Sequence, residues 1–201
     1  IRYAEELGYR IKLLGITRRA KNGVELRVHP TLIPTRRLIA NVEGVMNAVL
    51  VRGDAVGQTM YYGPGAGAEP TASAIVADLV DVTRTHTVDP RHRVPHLAFQ
   101  PDRLSDLPVL PMDEVETSYY LRLKVEDRTG VLADITRILA DLSISIGAMV
   151  QKEPGEGEKQ VDIVMLTHLT REKHINAAIA RIESLPFVSG RITRLRLEEL
   201  G

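Results

Sequence analysis

Leu121-Arg122-Leu123-Lys124-Val125-Glu126-Asp127-Arg128-Thr129-Gly130-Val131-Leu132-Ala133-Asp134-Ile135 passes from one hydrophobic period to another within a single short stretch. Tyr119, Leu121, Leu123 and Val125 alternate with Tyr120, Arg122 and Lys124, which predicts a half-buried strand over 118–125. Beyond Gly130 the apolar residues Val131, Leu132, Ile135, Ile138, Leu139 and Leu142 recur at helical spacing, opposite Asp134, Arg137 and Asp141. That is an amphipathic helix over 131–142.

Downstream, residues 144–152 alternate again. Pro154-Gly155-Glu156-Gly157-Glu158 supplies a polar turn, and 161–167 returns as a second strand. Thr170 suits the cap of a helix that carries Ile175, Ala178, Ile179, Ile182 and Leu185 on one face and stops at Pro186. Gly190 precedes a last strand over 192–197. The order βαββαβ closes as a four-stranded antiparallel sheet with both helices on one face, the ferredoxin-like arrangement.

Upstream the pattern is strand-rich. Residues 1–7 read as the end of a helix closed by Gly8, and Ile1 is not a translation start, so the chain is expected to be cut at its front. Ile11, Leu13, Leu14 and Ile16 form an expected buried strand; Val24, Leu26 and Val28 alternate with Glu25, Arg27 and His29; Asn22-Gly23 between them signals a hairpin. Strands over 46–51 and 56–61 flank the turn Arg52-Gly53-Asp54-Ala55. Gly63-Pro64-Gly65-Ala66-Gly67 then leads into a helix over 70–84. Pro90, Pro95, Pro101, Pro108 and Pro111 fall in a stretch without a sustained apolar period, which marks a linker. The segments are 1–85, the linker 86–117, and 118–201, in an α+β fold.

Composition narrows the function. Of 201 residues 44% are hydrophobic and 26% charged, with 26 Lys plus Arg against 26 Asp plus Glu and no Cys. A net charge of zero argues against nucleic acid as a partner, and the absence of thiols excludes disulfides and Cys-bound metals. No apolar run approaches a bilayer span and no secretory leader is visible, so a soluble cytoplasmic protein is expected, with no membrane partner. His86, His92, His96, His168 and His174 show no metal-ligand spacing and His29 reads as a strand-end residue facing solvent or an interface. Arg18-Arg19 and Arg36-Arg37 read as surface charge. No triad or carboxylate pair is recognisable, so no catalytic residue and no metal ligand is assigned.

Two loops remain as candidates. Glycines at 63, 65 and 67 let backbone approach a ligand at a helix start, although they do not form Gly-x-Gly-x-x-Gly. Asp127-Arg128-Thr129-Gly130 opens the helix after the first strand; Asp127 or Thr129 is expected to cap it, and its free N–H groups suit a small carboxylate.

The stretch 121–135, followed by Ile144-Ser145-Ile146, resembles an ACT domain, many members of which have Pro where Thr129 stands. The blocks Tyr9-Arg10-Ile11-Lys12-Leu13-Leu14-Gly15-Ile16, Val28-His29-Pro30-Thr31-Leu32-Ile33-Pro34, Asn41-Val42-Glu43-Gly44-Val45-Met46-Asn47-Ala48-Val49 and Tyr62-Gly63-Pro64-Gly65-Ala66-Gly67, continuing through Pro70-Thr71-Ala72-Ser73-Ala74 to Asp78-Leu79, resemble the C-terminal part of the homoserine dehydrogenase catalytic region. The resemblance implies NAD(P)-dependent interconversion of L-aspartate 4-semialdehyde and L-homoserine, with the nucleotide-binding unit and the catalytic acid–base residues expected upstream of Ile1. It places Gly63, Gly65 and Gly67 near the NADP or NAD cofactor of the full-length enzyme, with no cofactor held tightly by this chain alone, which should be inactive. In ACT domains an amino acid lies between two modules. The matching effector positions are Asp127, Arg128, Thr129, Gly130, Val131, Ile144, Ser145 and Ile146, with threonine the expected effector and a homo-oligomer, a dimer, the expected assembly. A free-standing amino-acid-binding regulatory module and a purely structural dimerisation piece are the alternatives.

Overall fold

Tyr119, Leu121, Leu123 and Val125 lie on one side of the strand at 116–126 and are fully buried. In the computed structural model, which describes residues 1–89, 99, 101–151, 157 and 159–200, the elements run α1 (Arg2–Glu6), β1 (Tyr9–Ala20), β2 (Gly23–Pro34), β3 (Met46–Gly53), β4 (Gly57–Pro64) and α2 (Ala68–His86). They continue with β5 (Glu116–Glu126), α3 (Val131–Asp141), β6 (Ile146–Gln151), β7 (Gln160–Thr167), β8 (Thr170–Arg171), α4 (Glu172–Glu183) and β9 (Val188–Leu197). The turn expected at 154–158, apart from Gly157, lies outside the described residues, as do Pro90, His92, Pro95 and His96.

The chain divides into two compact units, Ile1–Arg36 with Leu107–Gly201, and Arg37–Asp106. This spatial partition cuts across the sequence segments 1–85, 86–117 and 118–201, because the first hairpin pairs with the last strand. In the first unit the strand order is β1-β2-β9-β5-β7-β6, with β8 also on β5. Strands β9, β5, β7 and β6 form the antiparallel sheet anticipated from βαββαβ. On one face of it, Val131, Ile135 and Leu139 of α3 and Ile175, Ala178 and Ile182 of α4 meet the buried side of β5, with Ile163 and Met165 of β7. On the other face Tyr120, Val164 and Leu197 pack with Ala4 and Leu32, so α1 and β2 cover part of the sheet.

The β1–β2 hairpin extends that sheet. Its strands pair along their whole length, and β2 runs parallel to β9 through only Thr31↔Arg196 and Leu32↔Leu197. At the other end of β2, Val24 N–H donates to the Pro108 carbonyl at 2.9 Å and Leu110 N–H to the Val24 carbonyl at 2.9 Å. A Cβ on Gly23 would stand 2.2 Å from the Pro108 oxygen, so that docking needs glycine.

The alternation on β2 is inverted. Glu25, Arg27, His29 and Thr31 are buried, while Leu26 and Val28 are 49% and 74% exposed. The expected buried strand at 11–16 is corrected likewise: Ile11 and Leu13 lie on the same open face, with Leu13 71% exposed. Burial here is set by what lies across the hairpin, and the chain presents charges on that side. Thr170 is not the cap of α4; it sits buried in β8 opposite Thr117, and Arg171 holds the cap position without a side-chain hydrogen bond.

The second unit holds the β3–β4 hairpin, paired from Met46↔Pro64 to Gly53↔Gly57, and α2, which has no buried residue. Its apolar residues Val49, Tyr61, Val76 and Leu79 are exposed.

The two kinds of apolar strand position should separate in chemical denaturation. Leu123→Ala empties a fully buried site and should cost about 2–5 kcal/mol, whereas Leu13→Ala should cost less than about 0.5 kcal/mol.

Candidate functional site

Strand β5 ends where Glu126 N–H donates to the Phe187 carbonyl and Asp127 N–H to the Lys159 carbonyl, both at 3.0 Å. Past that ladder Asp127, Arg128 and Thr129 are exposed. Gly130 follows at φ +90, left-handed, as the N-cap of α3, with no side-chain cap hydrogen bond. The expectation that Asp127 or Thr129 caps the helix is therefore corrected: a residue without a side chain holds that position, and the first helical N–H groups keep no side-chain partner. Arg128 instead lies 4.7 Å from the Phe187 ring centroid and 3.4 Å from the Glu126 carboxylate. Val131 turns inward to the core.

The second predicted stretch begins after Ser143, itself left-handed at φ +58. Ile144 is buried in the core and Ile146 packs partly against it. Ser145 is exposed, and its carbonyl accepts from His168 N–H at 2.9 Å. The two stretches stand at opposite ends of one sheet. Strand β7 pairs Gln160 with Glu126, beside the Asp127–Gly130 turn, and Thr167 with Ile146. At ~3.3 Å per residue the separation along β7 is roughly 23 Å, too long for one amino acid to bridge.

In the second unit, Gly63 pairs with Asn47 across the hairpin, and Gly65 N–H donates to the Val45 carbonyl at 3.2 Å. The Asn47 amide Nδ2 donates to the same carbonyl at 3.2 Å, and a Cβ on Gly65 would stand 2.4 Å from Nδ2. Gly67 is the N-cap of α2 at φ +129, again with no side-chain cap. Gly67 thus has a backbone requirement for glycine, a side chain at Gly65 would displace the Asn47 amide, and the loop presents bare backbone to solvent at a helix start.

A third constellation was not assigned from sequence. Arg27 Nη2 donates to Glu198 Oε1 at 2.6 Å and to Glu25 Oε2 at 3.3 Å, and Arg18 Nη2 to Glu198 Oε2 at 2.8 Å. Arg36 pairs with Glu199 at 3.1 Å. Arg18 and Arg36 are exposed, as expected of surface charge, and they also pair with the Glu198 and Glu199 side chains. His29 is buried rather than facing solvent. Arg27 Nη1 approaches its Nε2 at 3.3 Å, and since a guanidinium only donates, Nδ1 carries the proton, facing the Pro30 carbonyl at 3.2 Å. Burial, with the charges of Arg196 and Arg27, lowers the imidazole's pKa from its usual value. The available signal was four polar residues at every second position of one strand.

Nearby, Glu172 opens α4 and receives Arg196 on both oxygens, Nε at 2.8 Å, and the Tyr119 hydroxyl at 3.2 Å. Burial alone would raise its pKa; Arg196, Arg194 and the Tyr119 hydrogen bond outweigh burial and hold it below the usual carboxylate range. Between α4 and β9 lies an open groove of about 430 Å³ lined by Asn176, Ile179, Ala180, Glu183, Ile192 and Arg194. Among the described residues no His/Asp/Glu cluster could hold a metal, and no helix is long and apolar enough to cross a membrane.

Residues 1–80 match the homoserine dehydrogenase family and residues 119–187 the ACT domain. The chain joins a segment similar to homoserine dehydrogenase to a segment similar to an ACT domain. It is 58% identical over 201 residues to homoserine dehydrogenase of Pseudomonas aeruginosa and 57% identical over 200 residues to that of Neisseria gonorrhoeae, covering 46% of the length of each. Homoserine dehydrogenase from Thiobacillus denitrificans, a solved structure, is 73% identical and superposes with a TM-score of 0.91 over the whole chain, which covers 45% of that structure. The S. aureus homoserine dehydrogenase structure at pH 6.5 is 27% identical with a TM-score of 0.59 over 98% of the chain. The chain thus spans a little under half the length of these relatives. The segment matched to homoserine dehydrogenase runs from α1 through β4 into α2, and the ACT match begins within β5.

Gly130→Ala should lower the stability of the ACT domain by about 1 kcal/mol through the left-handed backbone, with Asn costing less, because no atom lies within 4 Å of the added Cβ. A depressed carboxylate pKa contributes stability that is complete above the unfolded-state value of about 4.3 and is lost as pH falls through the folded value. Glu172→Gln should accordingly be less stable than wild type at pH 7, by about 3 kcal/mol, with the difference narrowing as the pH falls below about 4.3 in urea denaturation series.

Proposed function

We infer that this chain is a regulatory and partial catalytic portion of an enzyme that interconverts L-aspartate 4-semialdehyde and L-homoserine with NAD or NADP, in the route to threonine, isoleucine and methionine. The family matches support the reaction class. The glycine loop supports an edge contact with the dinucleotide: it offers bare backbone and the unpaired N–H groups of α2, and it lacks the phosphate-binding Gly-x-Gly-x-x-Gly. Gly63, Gly65 and Gly67 would line that edge. The dinucleotide, when bound, supplies or takes up the hydride; acid–base groups at the substrate oxygen come from outside this chain, which is inactive alone. The protein works in the cytoplasm. The sequence modules 1–85, 86–117 and 118–201 stand as a division by ancestry beside the spatial one.

The observation that carries the regulatory reading is the separation of the two predicted effector stretches. Within one copy Asp127–Gly130 and Ser145–Ile146 cannot share a small ligand, but among the described residues β6 is an edge strand of its sheet. When two β6 strands pair antiparallel about a two-fold axis, the Asp127–Gly130 turn of one copy comes beside Ser145–Ile146 of the other. Exposed N–H groups at the start of α3 then face the ligand carboxylate, and Asp127 and Ser145 are placed for the ammonium and hydroxyl of threonine. Ile144 and Val131, both in the core, shape the site from beneath. Ligand binding stabilises the pair, and its effect on the catalytic segment is bounded by its differential affinity for the two arrangements.

Calorimetric titration with L-threonine, against serine, isoleucine, methionine and lysine, joined to sedimentation analysis, tests this reading. Selective saturable binding that strengthens self-association is the expected result. Binding to a monomer with no change in association would overturn the paired site, and self-association without binding of any amino acid would favour a purely structural dimerisation piece.

A further inference from the structure

Strand β9 runs from one candidate ligand loop to the homoserine dehydrogenase hairpin. At its start, Val188 pairs with Val125, and the preceding Phe187 supports both Glu126, through its carbonyl, and Arg128, through its ring. Midway, five residues of β9 (Ser189 to Thr193) oppose three of β5 (Arg122 to Lys124), an irregularity that includes left-handed Gly190. At its end lie Leu197 and then Glu198.

Glu198 is the junction of three strands. Its N–H donates to the Leu32 carbonyl of β2 at 3.0 Å, its carboxylate takes Arg27 of β2 and Arg18 of β1, and Thr117 of β5 donates to the Leu197 carbonyl at 3.0 Å and faces the same carboxylate at 3.4 Å. The side chains of Glu198 and Arg27 are 6% and 1% exposed. Arg27 Nε is buried with no hydrogen-bond partner among the described residues, so that guanidinium depends on its carboxylates for compensation. Glu199 adds Arg36 and the Tyr9 hydroxyl, the latter at 3.4 Å. Against these, the parallel β2–β9 ladder spans two residue pairs.

We propose that Glu198 and Glu199 form a strap that couples the ACT domain to the homoserine dehydrogenase hairpin, with β9 as the connecting rod and Glu198 as the positioning residue. A ligand at the Asp127–Gly130 turn displaces the start of β9, and the strap passes the displacement to Arg27 and Arg18. The direction of this regulation rests on the amino-acid-sensing reading above; the strap itself does not.

The test is hydrogen–deuterium exchange on the complete chain, read peptide by peptide, with and without L-threonine. In Glu198→Gln, exchange across 9–20 and 23–34 should rise about tenfold or more, while 119–125 and 161–167 keep their protection. Arg18→Gln, at a half-exposed partner, should produce a smaller rise in the same peptides, and that effect should vanish in the Glu198→Gln background. Threonine should change hairpin exchange in the wild type and leave it unchanged in Glu198→Gln although the ligand still binds. Unaltered hairpin exchange in Glu198→Gln, a uniform loss of protection through the ACT core, or a ligand response that persists in the variant would each overturn the strap. Failure of every amino acid to bind the wild type would overturn the sensing reading and the regulatory half of the proposal, while the ligand-free comparison still decides the strap.

Discussion

The alternation on β5 is the constraint from which the rest of the first unit follows. Tyr119, Leu121, Leu123 and Val125 commit one face of the strand to α3 and α4, and Tyr120 commits the other to α1 and β2. With its faces fixed, β5 aligns β7 on one side and β9 on the other. A one-residue slip would drive Arg122 and Lys124 into the helix-facing core, so the register of three strands is set by one hydrophobic period. The turn that holds the candidate effector residues inherits its position from that register, because it begins where the β5 ladder stops.

What the first unit adds to an ACT sheet is a polar seam. Glu25, Arg27, His29 and Thr31 face inward along β2, where Arg27 meets Glu198, while Arg196 on the neighbouring strand is taken by Glu172. Such a seam costs desolvation that only complete pairing offsets, and it has little of the tolerance of an apolar interface, where side chains of similar volume exchange freely. It therefore specifies one docking of the hairpin. The family matches do not show this, since Arg27 lies in the segment matched over 1–80 while Glu198 lies beyond the match over 119–187.

The ACT elements were legible because their signals are local: a period of two, a glycine, then a period of 3.6 within a few residues of 130. The candidate loops were legible for the same reason, as were the Asn22-Gly23 turn and the helix end at Gly8, which is left-handed at φ +79. The inverted faces of β1 and β2 were not, because alternation names two faces without saying which one the rest of the chain will cover. Nor was the place of Arg18, Arg27 and Arg36, whose partners lie near the other end of the sequence. Thr170 carried a good capping side chain but was claimed by Thr117 across a short strand pair, and the first turn of α4 was left to Glu172 and its arginine.

Arg27 and Glu198 are 171 positions apart. A chain grows from its amino end, so the hairpin is made before Glu198, and Arg27 lacks that carboxylate until the intervening sheet has been made. The apolar parts of the ACT sheet can collapse before then, since their contacts close shorter loops. The hairpin is thus joined late, after the shorter loops of the sheet have closed, and a chain cut before Glu198 would keep the apolar core of that sheet without a docked hairpin.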